Sequence, residues 1–376
     1  MLNNAYGHAR LPDMSARARR VGCASAADGP RHEACYRLRR MRTLLGLTLL
    51  LASLPCAPAP RFADYGPNLE AFQYPYPVKR YTFRTQAQIY SMLYMDVAPA
   101  HASGRTVVLL SGQNFCAGTW ERTIARLLGA GYRVIAPDQI GFCKSSKPVN
   151  YQYSFQQLAT NTRALLDMLK AGRVVLVGHS LGGMLAIRYA LMFPGELEQL
   201  VLVDPLGLED WKAEGALYQS LDEQYATYVL TTPQSLKRRE QEDYFNNAWK
   251  PEYDRWLQMM AGLYTGAGRE RFAWNQALIS DMLFTQPVVY ELEHIRTPTL
   301  IMVGGRDRNA PFRRFAPPEA ASRMGNYPQL ARDAVRRIPG SRLVEFADLG
   351  HAPQVEDPVR FNDALLKGIE RPAPER

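Results

Sequence analysis

The most constraining feature of this sequence is an apolar run that passes through two glycines and a serine into a second apolar run. Residues 174–177 read Val-Val-Leu-Val, residues 178–182 read Gly-His-Ser-Leu-Gly, and a leucine- and alanine-rich segment follows. This pattern predicts a buried strand, a tight turn and a helix. Such a turn leaves little room for side chains two residues before and after the serine, and glycine occupies both positions. We therefore expect the Ser180 hydroxyl to stand above a sheet, beside a helix N-terminus.

From about residue 64 the chain alternates short apolar runs with amphipathic segments of helix length. This alternation is typical of a mostly parallel sheet covered by helices on both faces. Residues 77–97 are expected to add antiparallel edge strands. The predicted strands are 106–110, 133–136, 174–178, 200–203, 299–303 and 343–346. The predicted helices are 120–129, 154–170, 181–193, 326–337 and 355–369.

One interval breaks the alternation, because residues 205–298 contain many aromatic residues but no strand-like run. About ninety residues are too many for a simple connection between two elements. We therefore expect a helical cap inserted into one α/β core, which residues 64–204 and 299–376 would form. The aromatic side chains are expected to divide between the interior of the cap and a roof over a pocket.

A serine hydroxyl is a weak nucleophile at its ordinary pKa, so the chain should also supply a base and an acid that orients the base. Of six histidines, His351 is the one that follows a predicted strand at the carboxyl edge of the sheet. Two aspartates offer the acid, because Asp307 follows the strand 299–303 and Asp204 ends the strand 200–203. Either choice gives the order serine, aspartate, histidine. We favour Asp307, since Asp204 is placed to cap the chain entering the insertion.

With these motifs the sequence resembles the α/β-hydrolase superfamily over about residues 78–370. It is most similar to the capped members related to epoxide hydrolases, haloalkane dehalogenases and carbon–carbon bond hydrolases. The resemblance includes the loop Asp-Gln-Ile-Gly-Phe-Cys-Lys-Ser-Ser at 138–146, where Cys143 stands in place of the family's usual second glycine. It implies an α/β fold with a mostly parallel eight-stranded sheet, helices on both faces and an inserted helical cap.

The resemblance carries catalytic roles to Ser180, Asp307 and His351. Serine argues against epoxide hydrolase and dehalogenase chemistry, because those families use an aspartate nucleophile. The sequence instead favours hydrolysis of a small or medium apolar acyl ester through an acyl-serine intermediate. Two alternatives stay open. One is a carbon–carbon bond hydrolase acting on a diketone-like substrate, and the other is a binding or sensing module of low turnover on the same fold.

The resemblance also implies an oxyanion hole made of two backbone N–H groups. One belongs to Leu181, and the other lies just after the first core strand. The family often has His-Gly there, whereas this chain reads Ser-Gly-Gln-Asn at 111–114. Because a backbone donor does not depend on that histidine, we place the second donor at Gln113 or Asn114.

The formal net charge of +9 gives no argument for a nucleic-acid partner, because residues 1–42 carry most of the excess. Residues 41–63 have the pattern of a secretory signal peptide, with a charged start and an apolar run at 44–54. An uncleaved anchor or a buried helix is the alternative. We expect residues 1–40 to be an over-extended, unstructured start. The mature chain should begin near residues 58–64, be exported to the periplasm or beyond, and have no stable membrane insertion.

Two cysteines remain in the expected mature chain, and neither has the spacing of a metal or redox motif. The sequence therefore predicts no metal and no cofactor, and a small molecule as the substrate. Cys116 and Cys143 both follow predicted strands at the same edge of the sheet, so a disulfide between them fits the topology. Two separate buried thiols are the alternative, since a disulfide needs Cα atoms within about 7 Å.

Overall fold

A sheet of eight strands lies at the centre of residues 62–370, the part of the chain that the computed structural model describes. The expected start and nearly all of the expected signal segment lie outside these residues. The strands are β1 Val78–Thr85, β2 Gln88–Val97, β3 Thr106–Leu110, β4 Arg133–Pro137, β5 Val174–His179, β6 Leu197–Val203, β7 Thr299–Gly304 and β8 Arg342–Phe346. Their order in the sheet is β1-β2-β4-β3-β5-β6-β7-β8.

Most neighbouring strands in this sheet are parallel. The exceptions are β1 with β2 and β2 with β4, which pair antiparallel. Every residue of β3, β5 and β7 is buried, which explains why these strands are continuous apolar runs without polar alternation. The edge strand β1 instead alternates half-buried and exposed residues along most of its length. The predicted mostly parallel, eight-stranded sheet is confirmed.

Helices cover both faces of the sheet. Successive residues of β3 alternate between two cores, with Val108 and Leu110 on one face and Val107 and Leu109 on the other. The helices are α1 Glu121–Gly129, α2 Phe155–Met168, α3 Leu181–Met192, α4 Leu221–Val229, α5 Pro233–Asp243, α6 Asp254–Thr265, α7 Arg269–Thr285, α8 Pro318–Arg323, α9 Tyr327–Arg337, α10 Pro353–Glu356 and α11 Pro358–Glu370. The first core is packed by α2, α3 and α9, and the second by α1 and α11. Within residues 62–370 no helix combines the length and the apolar character needed to cross a membrane.

The helix boundaries follow from local sequence signals. Helix α2 begins after Ser154, whose side chain accepts a hydrogen bond from the N–H of Gln157 at 3.0 Å. The single helix predicted at 355–369 is wrong, because the chain forms α10 and α11 with a break at Asp357. Asp357 precedes a proline and has φ −142° and ψ 77°, outside the helical region that a following proline disfavours.

Residues 204–298, the β6–β7 segment, contain α4 to α7 and no strand. Helix α4 packs against α7, and α5 packs against α6. Both ends of the segment are held to the sheet by backbone hydrogen bonds. Leu206 donates to the carbonyl of Ser180 at 3.0 Å, and the carbonyl of Pro298 accepts from Leu200 at 2.9 Å. Its role as a cap stays a prediction.

Candidate active site

Ser180 lies in the turn between β5 and α3, with φ 56° and ψ −122°. Few residues other than glycine adopt a positive φ, so the surrounding structure must hold this turn in place. The space around the turn explains its glycines. A Cβ on Gly178 would overlap the carbonyl oxygen of Gly182, and one on Gly182 would lie 2.5 Å from the carbonyl oxygen of Leu110. The N–H of Ser180 donates to the carbonyl of Val203 at 3.0 Å, which ties the turn to β6.

The structure brings Ser180, His351 and Asp307 into one hydrogen-bonded line. His351 Nε2 lies 2.9 Å from Ser180 Oγ, and His351 Nδ1 lies 2.7 Å from Asp307 Oδ2. All three side chains are buried. When Nδ1–H donates to the carboxylate, Nε2 has a lone pair for the serine proton. This arrangement can convert the hydroxyl into a nucleophile.

A fourth polar group, which the sequence did not single out, reaches the same histidine nitrogen. Asn309 Nδ2 lies 2.9 Å from His351 Nε2, and the N–H of Asn309 donates to Asp307 Oδ1 at 2.8 Å. The amide and the serine hydroxyl therefore share one acceptor. The only signal in the sequence is that Asn309 lies two residues after Asp307.

Asp204, the alternative acid, lies beside Asp307 and makes no hydrogen bond to the histidine. A carboxylate oxygen from each aspartate and a ring nitrogen of His351 lie within 4.8 Å of one another. Asp204 does not cap the chain as expected, because its Oδ1 accepts from the N–H of Gly304 at 2.9 Å. Its buried Oδ2 accepts no hydrogen bond. The carboxyls of Asp204 and Asp307 are close enough to hydrogen-bond to each other, which requires a proton on one of them. Burial, and next the charge of Asp307, raise the pKa of Asp204 well above its usual range. This shift favours the protonated form of Asp204.

The predicted oxyanion donors flank Ser180. Leu181 is the first residue of α3. On the other side, a Cβ added to Gly112 would lie 2.7 Å from the Ser180 Cβ, so the loop carrying Gln113 and Asn114 starts against the serine. Among the described residues, the backbone N–H groups of Leu181, Gln113 and Asn114 donate no hydrogen bond. Free donors beside a serine can receive the charge of an oxyanion.

Side chains of the β6–β7 segment hold this loop. Gln113 Nε2 and Asn114 Nδ2 donate to the segment, and Asn114 Oδ1 accepts from it, over distances of 2.9 to 3.3 Å. The partners are Gln276 and Tyr228 for Gln113, and Tyr244 and Tyr264 for Asn114. The position of the second oxyanion donor therefore depends on helices outside the sheet.

A disulfide joins Cys116 to Cys143, with their Cα atoms 5.7 Å apart. Of the two alternatives that the sequence left open, the structure has the bridge. Cys143 has a φ of 39°, in the left-handed region where glycine is usual. The bridge connects the loops after β3 and β4, two residues beyond Asn114.

His179 supports the loop that carries His351. Its Nε2 lies 2.7 Å from the carbonyl oxygen of His351, to which it donates when protonated there. Burial lowers the pKa of His179 to about 3, so the ring is neutral. Its ring also packs edge-on against Phe115 at 5.0 Å between centroids. The residue before the nucleophile therefore helps to fix the backbone at His351.

A cavity of about 530 Å³ lies between the β6–β7 segment and the sheet edge. It reaches the site at Gln113, Asn114 and Asn309, while Ser180 itself does not line it. Its aromatic lining consists of Tyr228 and Tyr244. The sequence predicts more aromatic side chains over the pocket. Its charged lining residues are Arg238, Arg239, Arg313, Arg314, Glu242 and Asp243.

Comparison with known proteins finds hydrolases of one fold family. The model of the alpha/beta hydrolase family matches residues 107–364. Among solved structures, the chain is similar to a probable hydrolytic enzyme from Pseudomonas aeruginosa PAO1. The two are 55% identical with a TM-score of 0.81, over 82% of this chain and 99% of that one.

Two curated relatives are more distant. The 2-hydroxy-6-oxo-2,4-heptadienoate hydrolase of Pseudomonas putida is 29% identical, over 68% of this chain and 85% of the relative. The AB hydrolase superfamily protein YisY of Bacillus subtilis is 26% identical, over 70% of this chain and 91% of the relative.

Proposed function

The chain belongs to the alpha/beta hydrolase family, and from this premise we propose that it is a serine hydrolase that cleaves an acyl ester through an acyl-serine intermediate. The observation that carries the proposal is the buried hydrogen-bonded line from Ser180 through His351 to Asp307. Free backbone donors lie beside the serine, as acyl transfer requires.

The geometry suggests a sequence of proton transfers. His351 Nε2 takes the proton of Ser180 Oγ as that oxygen attacks the acyl carbon. Asp307 keeps the other ring nitrogen protonated and stabilises the imidazolium that forms. The N–H groups of Leu181 and Gln113 bind the oxyanion, and His351 then gives its proton to the leaving alkoxide. Water, deprotonated by the same nitrogen, hydrolyses the acyl-serine and restores the enzyme.

Hydrolysis of a carbon–carbon bond is the second candidate. The similarity to the 2-hydroxy-6-oxo-2,4-heptadienoate hydrolase favours it, and it requires the same three side chains. A binding module of low turnover is less well supported, because the acceptor on His351 already faces the serine hydroxyl at 2.9 Å.

Replacing the nucleophile tests the proposal. Ser180→Ala should lower kcat/KM for every ester substrate by about ten-thousand-fold or more, because no other group can form the acyl intermediate. A fluorophosphonate should label the wild type at Ser180 and leave the variant unlabelled. Ser322→Ala, at an exposed serine of α8, is the matched control and should keep full activity. Unchanged ester turnover by Ser180→Ala would contradict the mechanism.

A panel of substrates separates the two candidate reactions. Purified protein is assayed against neutral and charged esters and, in parallel, against diketone-like ring-fission compounds. Faster turnover of the esters supports the leading proposal. Turnover restricted to the diketone-like compounds, and lost in Ser180→Ala, would assign the carbon–carbon reaction instead.

We propose that the protein acts outside the cytoplasm. The signal-like pattern at 41–63 supports export, and the disulfide supports an oxidising compartment, where such bonds form and persist. N-terminal sequencing of protein recovered from the periplasm should find a start near residues 58–64. Cytoplasmic protein that retains residues 41–57 would contradict export.

A further inference from the structure

An arginine with two buried nitrogens that make no hydrogen bond lies in the wall of the cavity. Arg239, in α5, has a half-buried side chain whose Nε and Nη2 atoms are fully buried. Among the described residues these two nitrogens donate to nothing. A guanidinium keeps its charge under all ordinary conditions, and leaving its donors both desolvated and unpaired is unfavourable. The atoms that would satisfy this side chain are therefore expected from a ligand.

The groups nearest to Arg239 do not neutralise it. The hydroxyls of Tyr228, Tyr244 and Tyr264 lie near the guanidinium. Burial raises the pKa of Tyr244 and of Tyr264 above the usual range, so these two hydroxyls stay uncharged. Burial also raises the pKa of Glu240, the next residue in α5, to about 8, which leaves this carboxyl mostly protonated at neutral pH. Asp243, one turn further along α5, is the acidic group of the cavity that interacts with Arg239, and burial raises the pKa of its carboxyl, which favours the neutral form. The tyrosine next to the guanidinium, Tyr264, can hydrogen-bond to it but brings no opposite charge.

The remaining arginines of the cavity differ from Arg239. Arg313 donates to the carbonyls of Arg308 and Met324, and Arg314 lies 4.5 Å from the centre of the Phe315 ring. Arg238 is exposed to solvent. The acidic lining residues are fewer than the arginines, so the cavity as a whole carries positive charge. Of these cations, Arg239 has two buried nitrogens, Nε and Nη2, without a hydrogen bond, whereas Arg313 has one, its Nε, and is anchored to the backbone through Nη2.

We propose that this cavity binds a negatively charged group of the substrate, a carboxylate, through Arg239. The substrate class is then an acyl compound that carries an anion away from the bond to be cleaved. The planar guanidinium suits a carboxylate, because its donors match the two oxygens. The inference rests on the proposed serine hydrolase function and narrows its substrate.

The position of the cavity relative to the nucleophile suits such a substrate. Tyr244 and Tyr264, which border Arg239, also hold the side chain of Asn114. Asn114 belongs to the loop 111–116 after β3, called the oxyanion loop because it carries the proposed second oxyanion donor. An anion bound at Arg239 would therefore lie one side-chain layer from the loop that borders Ser180. A flexible chain of several carbon atoms can span from there to the acyl carbon.

A pair of substrates that differ only in charge tests the proposal. The para-nitrophenyl monoester of adipic acid has a free carboxylate, and its methyl ester has none. Wild-type protein should hydrolyse the carboxylate form with a kcat/KM at least about tenfold higher, as expected for charge-assisted hydrogen bonds. Arg239→Gln should lose this preference mainly through KM, while turnover of the methyl ester stays within about threefold of wild type. Arg239→Lys should keep part of the preference, because it keeps a point charge.

Arg271→Gln is the matched control, because it removes the same charge at an exposed position of α7 that does not line the cavity. Solvent screens that charge, so the preference should change by less than about threefold. An equal loss in both variants would overturn a specific site at Arg239. Thermal unfolding of each variant verifies that it is folded.

Inhibition of the wild type supplies a test that needs no variant. At constant ionic strength, adipate should compete with the neutral ester, and adipamide should compete much less. If adipate does not compete and the charged ester is not preferred, the anion site is overturned, while Ser180-dependent hydrolysis of the neutral ester still supports the proposed function. If no ester is hydrolysed and fluorophosphonate does not label the protein, the proposed function fails. Calorimetric titration with adipate then decides the site separately, since binding supports it and no binding overturns it.

Discussion

Two regions meet at Ser180, and they are built by different means. At the carboxyl edge of the sheet, strand ends and close backbone contacts place Ser180, Asp307 and His351. In the β6–β7 segment, long polar side chains from separate helices form the cavity and hold the oxyanion loop. For the proposed function, the contrast assigns the positioning of the reacting groups to backbone geometry and the selection of the substrate to side-chain networks. Changes at the edge should then lower kcat, and changes in the segment should alter KM.

The largest expected effect tests the sheet edge. Asp307→Asn should lower kcat by about a thousand- to ten-thousand-fold with little change in KM, because the amide cannot hold His351 in the working tautomer or stabilise its cation. Steady-state ester hydrolysis measures both constants. Should Asp307→Asn stay active while Asp204→Asn is inactive, Asp204 would be the orienting acid and the assignment made from the geometry would be wrong.

The next effect concerns the covalent link behind the oxyanion loop. Replacing Cys116 and Cys143 together by serine should lower the free energy of unfolding by about 3 kcal/mol, as the chain-entropy model gives for a loop of this length. Chemical denaturation measures this, and thiol titration of the denatured, unreduced wild type should find no free thiol in the mature chain. Two free thiols, or equal stability of the double variant, would show that the bridge does not form in solution.

A smaller effect tests whether a residue of the β6–β7 segment also contributes to kcat. Gln276→Leu, in α7, removes the 2.9 Å acceptor of Gln113 Nε2 and should loosen the oxyanion loop. We expect kcat to fall about tenfold, as for the loss of a buried hydrogen bond, although residue 276 belongs to the segment. Gln234→Leu, at an exposed position of α5, is the control. A change in KM alone would contradict this prediction and would mean that the segment affects substrate binding without affecting the chemical step.

The smallest effect on activity is expected at Asp204. Asp204→Asn should keep activity within about threefold, because the amide can donate to Asp307 as the protonated carboxyl does. Stability should show a clear pH dependence. The pKa of Asp204 is raised in the folded state, so as pH rises above about 4 the unfolded carboxyl ionises while the folded one keeps its proton. The wild type should therefore lose stability relative to the variant between pH 4 and 7.

Chemical denaturation at several pH values measures this difference in the free energy of unfolding. A difference that stays constant with pH would mean that Asp204 ionises in the folded protein. The raised pKa of Asp204 in the folded state would then be wrong.

The sequence predicts the sheet edge far better than the segment. The buried strands and the Ser180 turn have local patterns, because burial on both faces and the space around Gly178 restrict the residues that fit. Asp204 and Asp307 end neighbouring strands, so pattern alone could not decide between them, and their hydrogen bonds do. The disulfide likewise depended on a distance between two loops.

Two residues, Arg239 and Asn309, show why the sequence did not predict the rest of the site. Arg239 lies in a polar helix with no motif, and its proposed role rests on two buried nitrogens that make no hydrogen bond. Asn309 matters because its amide reaches a histidine forty-two residues away in the chain. Both depend on the packing of distant elements, which periodicity and local propensity do not encode.

The backbone hydrogen bonds at the two ends of the β6–β7 segment also affect how its sequence can change during evolution. The N–H of Leu206 donates a hydrogen bond to the carbonyl of Ser180, and the carbonyl of Pro298 accepts one from Leu200 in β6. These attachments use main-chain atoms, which every residue type except proline can supply as donors and every residue as acceptors. Descendants of this gene could therefore exchange the interior of the segment, and with it the molecules that they degrade, while the nucleophile keeps its place. Enzymes that share one ancestral reaction can in this way acquire different substrate specificities.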